Sequence, residues 1–153
     1  EMVGVGAVKW ALLRSGIGKD VEFSFDESVS FEGNSGPYLQ YTYVRTRSVL
    51  EKAGELGSFT ESEIALSAEE RSLLVMLSQY SDIVFDAAEK YSPSTIATYL
   101  FQLAQEYNLF YQKHQILKEE GSLQMFRLTL TKRVGETLQN GLNLLGIQTP
   151  GRM

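Results

Sequence analysis

The sequence predicts an all-α fold, a bundle of about six helices, on three observations. Apolar residues recur at spacings of three and four over long stretches. Glycine and proline are confined to a few points between those stretches. Only residues 21–25 alternate apolar with polar, and five residues are too few to define a sheet. With 153 residues, 43% hydrophobic and 22% charged, the chain can bury an ordinary domain core.

The first helix is expected over residues 3–14, stopped at Ser15-Gly16-Ile17-Gly18, where glycines can take positive φ. Residues 21–25 are expected to be extended, and a short helical turn follows near 26–31. Gly33-Asn34-Ser35-Gly36 breaks the chain. Pro37 restarts it, because proline at the start of a helix forfeits no needed hydrogen bond, and this helix should reach residue 53. Residues 54–63 are acidic and glycine-containing, a surface loop or junction.

Ser67-Ala68-Glu69-Glu70 has the form of a capping box and begins a helix to about residue 90, with a break expected near Tyr80-Ser81-Asp82. Ser92-Pro93 starts the next helix. There Ile96, Leu100, Leu103, Tyr107, Phe110 and His114 form one continuous face. The last helix should span residues 122–145, its stripe running from Leu123 to Leu145 and Gly146 placed to end it, before a stiff tail from Thr149 to Met153.

Composition excludes several classes of function. There is no cysteine, so disulfide frameworks and thiolate metal sites are ruled out, and His114 is the single histidine. It can complete neither a Cys–His pair nor a two-histidine metal site, and is expected to pack or cap. The acid pairs Glu69-Glu70 and Glu119-Glu120 sit at helix ends and are expected to be solvated. Val3-Gly4-Val5-Gly6-Ala7 lacks the third glycine and the preceding strand of a dinucleotide loop, so its glycines are expected to serve close packing or a turn. No apolar run reaches membrane-spanning length, and the N-terminal stretch, cut by Lys9 and Arg14, does not resemble a signal peptide. A chain that starts at Glu1 is expected to be a piece of a cytoplasmic protein.

A net charge of −5 disfavours nucleic acid as a partner, yet the charge is unevenly placed. Residues 33–50 hold Arg45 and Arg47 and no acid, and residues 121–153 hold Arg127, Lys132, Arg133 and Arg152 against Glu136 alone. The positive segment also carries Tyr38, Tyr41 and Tyr43 interleaved with Gln40, Arg45 and Arg47. Tyr38, Tyr41 and Arg45, spaced by three and four, share a helix face. Such a face offers planar surfaces to stack bases and a forked donor for phosphate. Equally, tyrosines can line a core with their hydroxyls at its rim, and Tyr107, Phe110 and Tyr111 carry the same two readings.

The string from Phe31 to Tyr41, Phe-Glu-Gly-Asn-Ser-Gly-Pro-Tyr-Leu-Gln-Tyr, with Tyr43-Val44-Arg45 after it, resembles the segment that joins the catalytic domain of arginyl-tRNA synthetases to their C-terminal domain. Pro93-Ser94-Thr95-Ile96-Ala97-Thr98-Tyr99-Leu100, Leu103-Ala104 and Asn108-Leu109-Phe110-Tyr111 resemble the central helix of that family's DALR-type anticodon-binding domain. Residues 127–130 and 141–153, ending in Thr149-Pro150-Gly151-Arg152-Met153, resemble its C-terminal end. Tyr43, where many relatives have histidine, and the acidic stretch 51–70 depart from the pattern.

The resemblance implies a remnant of the catalytic domain over residues 1–35 and a helical anticodon-binding domain over 36–153. It implies a parent class I enzyme that uses ATP with Mg to activate arginine and esterify tRNA-Arg. The HIGH signature and KMSKS-like loop that serve ATP are missing from this chain, so catalytic residues and cofactor sites are expected to be absent and the piece alone inactive. Its implied partners are tRNA-Arg and the catalytic domain, with neither DNA nor membrane. Carried over by position, Tyr111 and Met153 are the first candidates to grip the anticodon, followed by Arg45, Arg47, Tyr38 and Gln40; Arg127, Lys132 and Arg133 are weaker phosphate candidates. Two other readings stay open, a helical protein-interaction module and a free-standing tRNA-binding homologue.

Overall fold

The computed structural model describes residues 1–21, 23–54 and 64–153. In chain order it forms α1 (Met2–Leu13), α2 (Phe25–Val29), α3 (Gly36–Ala53), α4 (Ala68–Glu89), α5 (Pro93–Lys113), a 3-10 turn (Ile116–Lys118) and α6 (Gly121–Leu144), with no strand among the described residues. The all-α expectation holds. The extended segment expected over residues 21–25 is not found: Val21, Phe23 and Ser24 lack regular structure and Phe25 opens α2, while residue 22 lies outside the described residues. Most of the loop expected over 54–63 also lies outside them.

Helices α3, α5 and α6 form the centre, α4 packs across α5 and α6, and α1 lies on α3. The α5 stripe is buried as its spacing requires, with Leu100, Leu103, Tyr107 and Phe110 fully enclosed against Leu39, Leu138 and Leu142. The break expected near Tyr80 does not occur. Tyr80 donates to Asn140 Oδ1 on α6 at 2.6 Å and its ring lies 5.6 Å from that of Tyr99 on α5. Polar residues at 80–82 therefore mark the rim of a continuous helix and no interruption.

Two glycines decide close geometry. At Gly36 a Cβ would sit 2.6 Å from the Gly6 carbonyl oxygen, so α1 can lie against the start of α3 only without a side chain there. At Gly146, φ is 69° and the Ile147 and Gly146 amides donate to the Leu142 and Asn143 carbonyls, closing α6 in a Schellman motif that sends the tail back over the bundle.

The capping box at Ser67 and Glu70 forms as expected; of the acids expected to be solvated, Glu120 is exposed, whereas Glu69, Glu70 and Glu119 are engaged in ion pairs. Glu70 is wholly buried and receives Arg127 Nε at 2.6 Å, while Arg127 Nη1 reaches Glu119 at 2.7 Å. Arg127 is thereby removed from any phosphate-binding surface. Burial alone raises the Glu70 carboxyl pKa, but the Ser67 amide and the Arg127 guanidinium outweigh it and the net shift is downward.

Glu69 takes Lys113 Nζ at 2.5 Å and lies 3.3 Å from His114 Nε2; the Lys113 bond, its own backbone amide and His114 hold its carboxyl down to about 2. His114 packs on Phe110 at the end of α5, in the structural role expected of it. A carboxyl pKa depressed on folding stabilises above its unfolded value, about 4.5, and that stabilisation disappears as pH falls toward about 2. The melting temperature of Glu69→Gln should therefore lie below that of the parent chain at pH 6, with the gap closing by pH 2.

Candidate functional site

Pairing of side chains on α3 and α5 creates the candidate site. On α3, Tyr41, Arg45, Ser48 and Lys52 recur at four, three and four residues and so line one stripe. On α5, Tyr111 lies one turn beyond the buried Tyr107, with the rings 6.4 Å apart. Leu117 of the 3-10 turn and Met153 complete a surface cavity of about 230 Å³.

The Arg45 guanidinium lies over two rings at once, its Cζ 4.9 Å from the centroids of both Tyr41 and Tyr111. Its Nη1 donates to Asn108 Oδ1 at 2.5 Å and its Nη2 to the Tyr41 hydroxyl at 3.2 Å. A guanidinium has five N–H groups, so the fork keeps donors beyond these two. Tyr41, Tyr111 and Met153 each remain about 40% exposed, leaving apolar and aromatic surface open at the cavity mouth. Phe31, itself exposed, meets Tyr41 edge-to-face at 6.4 Å and extends the aromatic surface beyond the cavity.

Met153 reaches the cavity because the tail is tied down along α3. After the Schellman turn, Ile147 is buried and the Gln148 carbonyl accepts from Gln40 Nε2 at 2.7 Å. Further on, Gly151 passes Arg47 so closely that a Cβ would lie 3.4 Å from Nη1.

The structure thus brings Tyr111, Met153 and Arg45 together and separates the other three candidates from them. Gln40 is wholly buried and holds the tail, so its position follows from packing. Tyr38 is half-buried, its ring edge-on to Phe101 at 5.8 Å and its hydroxyl accepting from Asn108 Nδ2 at 2.8 Å. Arg47 lies beside the tail and pairs with Glu51 at 3.0 Å. Among the weaker candidates, Lys132 is exposed and Arg133 bonds Glu136 within its own helix.

Ser48 and Lys52 were legible as an extension of the Tyr41–Arg45 stripe and were missed there. Phe31 and Asn108 lie within the matched strings and were not singled out there, while Leu117 carried no comparable signal, because the 3-10 turn brings it to the site.

The described residues contain no cluster of three His, Cys, Asp or Glu that could hold a metal. Gly4 and Gly6 lie inside α1, and a Cβ at Gly6 would meet Gln40 Nε2 at 2.8 Å, so that glycine serves helix packing. No described helix is long and apolar enough to cross a membrane.

The cavity of this helical bundle presents two tyrosines, an arginine, a lysine and a thioether, a set suited to hold a planar group that carries hydrogen-bond acceptors. The chain belongs to the DALR anticodon binding domain family, which matches residues 39–153. It is 41% identical over 158 residues to the arginine–tRNA ligase of Parabacteroides distasonis, covering 100% of this chain and 26% of that protein. With the arginine–tRNA ligase of Streptomyces coelicolor the identity is 43% over 152 residues, 99% of this chain and 26% of the relative. The chain therefore spans about a quarter of the length of these curated relatives.

Among solved structures, the arginyl-tRNA synthetase of Thermus thermophilus matches with a TM-score of 0.93 at 35% identity, over 99% of this chain and 27% of that one. The Plasmodium falciparum arginyl-tRNA synthetase matches 99% of this chain and 27% of its own with a TM-score of 0.83; at 22% identity it speaks to the fold alone.

Proposed function

We propose that this chain is the anticodon-side portion of an arginine–tRNA ligase and that the Tyr41–Arg45–Tyr111–Met153 cavity receives an unstacked anticodon base of tRNA-Arg. One observation carries the reading: residues 41, 45, 111 and 153, remote in sequence, converge on one cavity in a chain of an anticodon-binding family. Base faces stack on tyrosine whatever the base, while a guanidinium fork selects for acceptors, so the two together can hold a base and discriminate among bases. Tyr111 and Met153 would supply the stacking and apolar contacts, with Arg45 the donor. Lys52 at the rim and Arg47 beside the tail suit phosphate; Tyr38 and Gln40 act from behind, through Asn108 and the tail.

In this reading, residues 36–153 are the anticodon-binding domain and 1–35 belong to the catalytic body, which the start of the family match at residue 39 supports. The whole cytoplasmic enzyme would charge tRNA-Arg using ATP and Mg held elsewhere in its chain, and the 153-residue piece alone would not. This reading requires neither DNA nor a membrane as a partner.

Titration of anticodon stem-loops of tRNA-Arg, with each anticodon base replaced in turn, tests the proposal. Tyr111→Ala should weaken binding by about 1–3 kcal/mol with the fold retained. Affinity should fall as salt rises, since phosphate neutralisation contributes to it. Equal affinity for every anticodon variant would leave the cavity without a role in recognition and favour a protein-interaction module.

A further inference from the structure

Asn108 is a buried amide in the middle of this site, on α5 and facing α3. Its three hydrogen bonds use both ends of the group. Oδ1 accepts from Arg45 Nη1 at 2.5 Å, and Nδ2 donates to the Tyr38 hydroxyl at 2.8 Å and to Thr42 Oγ1 at 3.0 Å. The orientation is dictated by chemistry. A guanidinium only donates, so the amide oxygen must face Arg45, and the amide nitrogen must face the two hydroxyls, which can accept. Thr42 is itself oriented, because its hydroxyl donates to the Tyr38 carbonyl at 2.9 Å and so presents a lone pair to Asn108.

We infer that Asn108 is the positioning residue of the cavity: it fixes the Arg45 guanidinium against Tyr41 and Tyr111, so that the remaining donors meet an incoming base in a preformed pattern. The long Arg45 side chain would otherwise sample several rotamers at the half-exposed cavity wall, and each ordering on binding would subtract from affinity and blur selection among bases. Stacking on Tyr41 and Tyr111 restrains the plane of the guanidinium; rotation within that plane is restrained chiefly by the Asn108 bond at 2.5 Å, since the exposed Tyr41 hydroxyl is a longer and weaker acceptor at 3.2 Å. Asn108 therefore governs discrimination among bases more than total affinity, much of which comes from stacking and phosphate contacts. This inference rests on the nucleotide reading of the cavity for its consequence, though not for the geometry itself.

The test compares the 153-residue chain with its N108A and N108D forms. Aspartate retains an acceptor for Arg45, and the Tyr38 and Thr42 hydroxyls can both turn to donate to its second oxygen; alanine retains no acceptor. In ¹⁵N spectra of the arginine side chains at low temperature, the parent and N108D should show separate Arg45 Nη resonances from hindered rotation, and N108A should show them averaged. The affinity ratio between matched and base-substituted anticodon stem-loops should fall about tenfold in N108A and persist in N108D. Separate Arg45 resonances in a folded N108A, an unchanged ratio there, or loss of both signals in N108D would each overturn the proposal. Should N108A not fold, N108S, too short to reach Arg45, is read in the same way. If the resonances behave as expected while the parent chain itself binds all stem-loops equally, the nucleotide reading fails and the positioning of Arg45 by Asn108 stands.

Discussion

The Arg127→Ala protein is expected to lose about 3–5 kcal/mol of unfolding free energy in urea at neutral pH. Glu70 is fully enclosed and its carboxylate is stabilised by two partners, the Ser67 amide at 2.7 Å and Arg127 Nε at 2.6 Å. Removing the guanidinium leaves a buried anion with only the capping bond, and also frees Glu119, which Arg127 holds through Nη1. The loss measures an uncompensated charge, not the net value of the pair. Arg127→Lys should fall between the two, since one ammonium cannot reproduce a fork that serves Glu70 and Glu119 from different nitrogens. A loss below about 1 kcal/mol for alanine, the range of surface pairs, would mean that water reaches Glu70 freely.

Trp10→Ala should cost a similar amount, about 3–5 kcal/mol, by emptying a large buried volume. Trp10 is 1% exposed, packs in the same core as Leu39, and donates from Nε1 to Asn34 Oδ1 at 2.9 Å. Arg14 Nη1 donates to the Asn34 carbonyl at 2.6 Å, so α1 holds the loop that leads into α3 at two points. This variant asks whether residues 1–35, proposed to come from a different body than the bundle, fold as one unit with it. A single urea transition shifted as a whole is the expected result. Two transitions, or no shift in the main one, would show that α1 contributes nothing to the stability of α3–α6.

The helices themselves were legible because each carries its instructions locally. Ser67 and Glu70, three residues apart, can close a capping box without any neighbour, and the α5 stripe at spacings of three and four can bury only one side. Gly146 ends α6 for the same local reason, since a residue at φ 69° suits glycine. The break expected at Tyr80 failed because its hydroxyl is satisfied by Asn140, sixty residues away and invisible to a local reading. Residues 21–25 failed for a related reason, since period-two alternation acquires meaning only when a second strand is present to pair with.

The site divides along the same line. Sequence alone determined that Tyr41 and Arg45 share a face of α3, and the matched strings pointed to Tyr111 and Met153, because helix phase and family pattern are properties of short segments. Only tertiary structure decided that Arg45 reaches Tyr111, that Gln40 is spent on holding the Gln148 carbonyl, that Arg127 is buried with Glu70, and that the tail lays Met153 beside α3. The physical reason is that hydrogen bonds and ion pairs between helices depend on how those helices cross. The same arginine or amide is a ligand-binding group or a structural one according to which partner the packing places within about 3 Å of it.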